Sequence, residues 1–394
     1  MNEYSNIIIH PLASSTQDKR YLLSCNGQYY EAGYPIIELL TELQKYSEEE
    51  AVSSYIKKKD GKYSREQVLQ IISKFIAPLF SSKKTERTFL YEKELFTAST
   101  IDKFSDTFRF LFNRIYMAII FIFASILNIY FFLMSEDLLQ FNNSAGIYKA
   151  GGLLVFMLLS SFFHELGHAS ACKYFGIRHG SIGFGLYLNF PVLYTDVSEV
   201  WKLDRTQRCV VNIAGVYFQC YLLIGLLAAF LFTGNEILQY LILIINLGFL
   251  MTLNPFFKFD GYWIASDLLG VPNLRARSKE LLNYWYKRMR KQSITQKPYL
   301  LQIRPAAKYG LLIYSIVVNL FMGFYFFYII PNFLYRFVST FPDAVNELIL
   351  YLSNRMTPPF ALLRNIGSQL LFLALIGYLF WKLAQPLLKR YVKK

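Results

Sequence analysis

His164, Glu165 and His168 stand in the order His-Glu-x-x-His. On a helix the two histidines lie one turn apart on one face, so both imidazoles can reach a single metal ion. Glu165 sits beside that face, where a carboxylate can take a proton from a water that the metal polarises. Two histidines leave such a site incomplete, because a catalytic zinc takes three protein ligands and keeps one position open. The motif lies inside an apolar run from about Ala150 to Phe175. An ionisable side chain at mid-membrane costs roughly 2.5–3.5 kcal/mol on insertion scales, so residues placed there generally carry function. A polar cluster that only joins helices would not need this order and spacing.

The elements that must position these residues are apolar and long. Of the 394 residues 54% are apolar, with 36 Phe and 30 Tyr, a composition outside the range of ordinary soluble domains. Six runs reach the length of a bilayer span: Ile115–Met134, the run that carries the histidines, Cys209–Thr233, Ile237–Asn254, Tyr309–Ile330 and Ile366–Leu383. Ala344–Ser353 is amphipathic and is expected to lie at the outer surface. The fold class expected is a polytopic α-helical membrane protein of about six transmembrane helices, with a small α+β winged-helix-like cytosolic domain at the N-terminus. The expected divisions are residues 1–82 for that domain, 83–112 for a charged connector and 113–394 for the membrane domain.

The net charge of +14 sets direction. Lys83, Lys84, Arg87, Arg109 and Arg114 precede the first span, and Lys173, Arg178, Lys202, Arg205 and Arg208 separate the second from the third. A basic stretch from Arg275 to Lys297 follows the fourth, and Lys389, Arg390, Lys393 and Lys394 end the chain. With six spans all four clusters fall on one side, which places both termini in the cytoplasm and the protein in the cell membrane. The excess is thus an orientation signal with some attraction to anionic lipid. It is not a nucleic-acid signature, since the third N-terminal helix offers Arg65 and Lys74 but no dense basic face. Met1 to Thr107 contains no early apolar core of the signal-peptide kind. Cys25, Cys172, Cys209 and Cys220 show no paired framework and read as free thiols. Cys172, one turn beyond His168, reads as a small packing residue.

This topology puts the histidines in the cytoplasmic half of the second span. The fourth span also runs inward, and Asp260 stands near its end, so Asp260 is the candidate third ligand; the competing reading is a helix cap or a partner of Lys258. Pro255 removes a backbone donor and breaks the span. Asn254 beside it either holds a substrate backbone or caps the broken helix. Gly183 to Asp196 is too apolar for a solvated loop and too broken for a span. It reads as a hairpin at the membrane surface, whose open edge, with Gly183 and Gly185, can pair with an extended peptide, or which merely attaches to lipid. His179 reads as a surface residue.

His-Glu-x-x-His on one span with Asn254-Pro255 and Asp260-Gly261 on a later one resembles the site-2 protease family of intramembrane zinc metalloproteases, over roughly Arg114 to Asn273. The resemblance implies zinc held by His164, His168 and Asp260, Glu165 as general base, and Asn254 and Pro255 at the substrate. The third span departs from the family: Ala214-Gly215 is followed by Val216 where a proline is usual, and Gln219 stands near the usual asparagine. Gln219 is therefore read as a substrate-binding amide of longer reach.

In the N-terminal part, Asn6–Leu12 and Arg20–Cys25 read as strands, Asn26-Gly27 as a hairpin turn into Gln28–Glu31, and Pro35 as the first turn of a helix. Capping boxes at Ser47–Glu50 and Ser64–Gln67 open two more helices. The order resembles the PqqD-like peptide-recognition domains over about Ile7 to Ser81, which implies binding of a precursor's leader peptide by strand addition. A regulatory cap or assembly domain is the competing reading. The chain as a whole is expected to be a zinc endopeptidase that cleaves a ribosomally made, modified peptide precursor near the cytoplasmic face. The alternatives are a site-2-type protease acting on a transmembrane regulator or signal-peptide remnant, and a non-catalytic scaffold or immunity factor.

Overall fold

The computed structural model describes residues 3–12, 19–25, 28–81, 91–135, 147–187, 190–292 and 298–392. They divide into two compact units: Met1–Glu136, Leu159–Gly185 and Val192–Ser315 form the first, and Asp137–Leu158, Leu186–Pro191 and Ile316–Lys394 the second.

The first unit begins with an antiparallel sheet of β1 (Ile8–Leu12), β2 (Arg20–Cys25) and β3 (Gln28–Gly33), paired in that order. The expected Asn26-Gly27 turn lies outside the described residues. Pro35 sits in the first turn of α1 (Tyr34–Lys45). Both expected capping boxes are formed, at Ser47 for α2 (Glu48–Lys58) and at Ser64 for α3 (Arg65–Ile71), so each helix start has two of its orphan N–H groups satisfied. A π turn over Ile72–Ile76 leads into α4 (Ala77–Ser81). Leu39, Leu40, Leu43, Val68 and Ile76 are fully buried in one core under the sheet.

The connector is more structured than its charge suggests. β4 (Glu92–Phe96) pairs antiparallel with β5 (Ile182–Tyr187), and β6 (Phe190–Thr195) completes a sheet of order β4-β5-β6. α5 (Ala98–Phe108) follows β4. The strand is concealed in the sequence because its residues are all exposed, so no apolar alternation marks it.

Among the described residues, five helices are long and apolar enough to cross a membrane: α6 (Arg114–Met134), the span Gly151–Tyr174 of α7 (Ile147–Tyr174), α8 (Arg205–Thr233), Pro305–Ser353, and Phe360–Tyr378 within α14 (Phe360–Val392). The fourth expected span is α9 (Glu236–Thr252), shorter than the rest at 17 residues. It stops three residues before Pro255, as the steric restriction on the residue preceding proline requires. Asn128 of α6 and Asn246 of α9 exchange side-chain hydrogen bonds at 2.7 and 3.0 Å, a polar clasp in apolar surroundings. After α9 come α10 (Asp260–Leu269) and α11 (Leu274–Met289).

The expected break between a fifth span and a separate amphipathic piece is absent. α12 (Pro305–Phe324), a π stretch over Tyr325–Ile329 and α13 (Ile330–Ser353) form one 49-residue helical run. Pro331 lies inside this run, two residues past the π stretch, and Pro342 lies inside α13; each removes one backbone donor from the helix. In the second unit α13 packs on α14 through aromatic rings, with Phe333 and Phe372 centroids 4.3 Å apart.

Candidate metal centre

Three side chains from two helices far apart in sequence converge. His164 and His168 project from α7, one turn apart. Asp260 is the first residue of α10, where the helix N-terminus favours a carboxylate. Its Oδ2 lies 3.0 Å from His164 Nε2 and 3.3 Å from His168 Nε2, and the two Nε2 atoms are 3.1 Å apart.

The far side of each imidazole shows what these nitrogens are. His168 Nδ1 lies 2.7 Å from the carbonyl oxygen of Val211, which can only accept, so Nδ1 carries the proton. His164 Nδ1 donates in the same way to Gln219 Oε1 at 3.1 Å. Gln219 in turn donates to Ser160 Oγ at 2.8 Å, which orients its amide. In the neutral rings both Nε2 atoms are therefore bare lone pairs, facing each other and a carboxylate oxygen. Asp260 Oδ2 is buried and receives no hydrogen bond. Three acceptors facing one another in a water-poor place repel unless a cation joins them. Their separations fit one: nitrogen and oxygen ligands at roughly 2.0–2.1 Å from a tetrahedral zinc lie about 3.3 Å apart. Among the described residues, these three are the cluster able to hold a metal ion.

α8 is the jig that sets the geometry. Gly215 packs directly under His164: a methyl group there would come within 2.3 Å of the imidazole. Gly167, between the two histidines, is equally close to α8, 2.4 Å from the Ala214 carbonyl oxygen to an added Cβ. Two turns along α10 from Asp260, the carboxylate of Asp267 is clamped by α8. Arg208 Nε and Nη2 both lie 2.7 Å from its Oδ1, and Asn212 Nδ2 donates to Oδ2 at 3.1 Å. One helix thus holds both histidines and the element that carries the aspartate. Gly261 lets the chain fold back on Leu253, whose carbonyl would be 2.0 Å from a Cβ at that position.

Glu165 is buried, and its Oε2 accepts from Thr195 Oγ1 of β6 at 2.8 Å. The sheet therefore touches the motif through Thr195, a contact that sequence reasoning missed because it joins residues 30 apart.

The other expected site residues fall as follows. Asn254 Oδ1 accepts the Phe256 N–H at 2.8 Å in the turn after α9. The Pro255 carbonyl accepts from Tyr314 Oη at 3.1 Å. Gln219 faces His164 and Ser160, so its amide is engaged with the protein rather than open for a peptide. Gly183 and Gly185 line up with Glu94 and Glu92 of β4, which occupies the β5 edge that was expected to be open. Tyr194 lies over Gly183, where a Cβ would meet its ring at 2.6 Å. His179 is a correction. It is buried, with Nε2 3.0 Å from Ser105 Oγ and 3.1 Å from Asp102 Oδ1, and its Nδ1 2.8 Å from the Gly180 carbonyl oxygen. Lys173 lies 2.5 Å from the same Asp102 and holds that carboxyl below the usual range. Cys172 is wholly buried in the core beside the motif, and all four cysteines are free thiols.

No family model matches the chain, and no solved structure matches it. Among curated proteins the chain is similar to the "Putative peptide zinc metalloprotease protein YydH" of Bacillus subtilis (strain 168), at 30% identity over 137 residues. The match covers 34% of this chain and spans about half, 52%, of that relative's length.

Proposed function

We propose that the protein is an intramembrane zinc endopeptidase of the site-2 type, with His164, His168 and Asp260 as ligands and Glu165 as general base. The observation that carries this reading is the meeting of two unprotonated imidazole nitrogens and a buried carboxylate oxygen beside a buried glutamate. The likeness to a protein named as a peptide zinc metalloprotease supports it. The donor set, two nitrogens and one oxygen, leaves a bound zinc with net positive charge, and that ion supplies the Lewis acidity for hydrolysing an amide.

The chain's own residues do the rest. Glu165 takes a proton from the attacking water, whose oxygen adds to the scissile carbonyl carbon. The C–N bond then breaks, and Glu165 returns the proton to the departing amine. Thr195 holds the carboxylate in place during both transfers. An extended substrate pairs along β6, the strand that carries Thr195, since β4 already covers the other side of β5. The substrate is a peptide precursor, captured at its leader by residues 1–82 and delivered to the metal on the cytoplasmic side. Tethering of this kind raises the local substrate concentration without a tight active site.

Glu165→Gln tests the assignment. It should retain zinc and abolish processing, read by mass spectrometry of peptides from cells carrying either form. Cleavage that persists in the variant would refute the role of Glu165.

A further inference from the structure

α11 carries an apolar stripe that is only half used. Leu274, Ser278 and Leu281, at helical spacing, are buried against the protein. The stripe continues through Leu282, Trp285, Tyr286 and Met289, at i, i+3, i+4 and i+7, and here the described residues leave it open: these side chains are 48%, 55%, 46% and 78% exposed. Leu, Trp, Tyr and Met on one helix face are the side chains that enter the boundary between headgroups and acyl chains.

The charges beside the stripe say which surface it meets. Lys279, Lys287, Arg288, Arg290 and Lys291 share this stretch, and Glu280 is the one acid between Leu274 and Lys291. Glu280 is already engaged, with Arg277 Nη1 at 3.1 Å and the Tyr299 N–H at 2.9 Å. The Arg290 guanidinium lies over the Tyr286 ring at 4.6 Å, so its alkyl stem follows the apolar face while its charge stays at the rim. A solvated helix has no use for this stripe, and an acid-poor cationic rim suits lipid phosphate better than another cationic copy of the chain.

We infer that the C-terminal half of α11 lies in the interfacial layer of an anionic bilayer, with Trp285 and its apolar neighbours among the upper acyl chains and the flanking lysines and arginines on the headgroups. The inference is independent of the peptidase reading. Its reach extends toward the metal centre, because Arg275 at the start of α11 donates to the carbonyl of Phe256 at 2.6 Å, in the segment that leads to Asp260.

The test uses the full chain in nanodiscs of anionic phosphatidylglycerol brominated on the upper acyl chain. The chain has 4 Trp, so the difference between wild type and Trp285→Phe isolates the Trp285 emission. That component should be quenched by bromine at least about two-fold and be shielded from aqueous acrylamide. A triple variant Lys279→Glu, Lys287→Glu, Arg290→Glu should lose at least about half of the bromine quenching. Quenching by acrylamide but not by bromine would overturn the inference in favour of a solvated helix. Protection from both would overturn it in favour of a protein partner or a second copy. Bromine quenching unchanged in the triple variant would overturn the assignment to anionic lipid.

Discussion

Glu42 in the N-terminal core and Asp260 in the metal centre are both carboxylates withdrawn from water, and they are treated in opposite ways. Glu42 receives Lys58 Nζ at 2.6 Å and Ser54 Oγ at 2.6 Å, so each of its oxygens meets a donor. Asp260 Oδ2 meets two histidine nitrogens whose protons are committed elsewhere. The first carboxylate is complete within the protein. The second finds no donor within the protein, which is how a candidate cation site differs from a structural ion pair in the same chain.

The comparison breaks most directly at Asp260. Asp260→Ala removes the charged ligand, and zinc in the purified protein should fall from about one per chain to under about one tenth, with peptide cleavage lost. Elemental analysis alongside a cleavage assay reads both; zinc content unchanged by this substitution would remove Asp260 from the ligand set. A smaller effect is expected at Gly215. Its added methyl would come 2.3 Å from His164 Cε1 and Nε2 and must push the ring, with its ligating nitrogen, aside, so Gly215→Ala should weaken zinc affinity roughly 10–100-fold, measured by competition with a chelator. Thr195→Val should lower kcat by about tenfold through a less well held Glu165, with KM and zinc affinity unchanged. An equal loss in a Thr195→Ser variant, which keeps the hydroxyl, would show that the contact is packing and not orientation.

Glu42 supplies the other arm. Glu42→Gln should destabilise the N-terminal core by about 2 kcal/mol, as loss of hydrogen bonds to a charged group does, while leaving zinc bound. The hydrogen bond from Lys58, then that from Ser54, lowers the Glu42 pKa below its ordinary value of 4.5. A carboxylate lowered on folding stabilises the fold fully above its unfolded value and progressively less as the pH falls through the folded one. Hydrogen exchange of α1 and α2 in the full chain should therefore quicken below about pH 4.5 in the wild type. In Glu42→Gln this part of the pH dependence should be absent.

Local patterns carried the parts of the chain that depend on nearby residues. The two capping boxes, the proline that opens α1 and the histidines one turn apart all follow from spacings of a few positions. The nearness of Asp260 to the histidines was expected because charge bias and span direction put all three at one depth, and the side chains do meet. β4 was not reachable: its exposed residues carry no burial pattern, and what makes it a strand is the β5 edge beside which it lies. His179 escaped for the same reason, since Asp102 and Ser105 are more than 70 residues away.

By itself the sequence determined the chemistry on offer: which groups are able to ligate a metal, which carboxylate stands beside them, and which segments are apolar enough for lipid. Those are properties of side-chain type and short-range periodicity. Only the tertiary structure decided that Gln219 orients His164, that Thr195 holds Glu165 and that α8 sets the distance between α7 and α10. Such contacts depend on how closely two helices approach, and Gly167 and Gly215 set that approach in a way no single segment encodes.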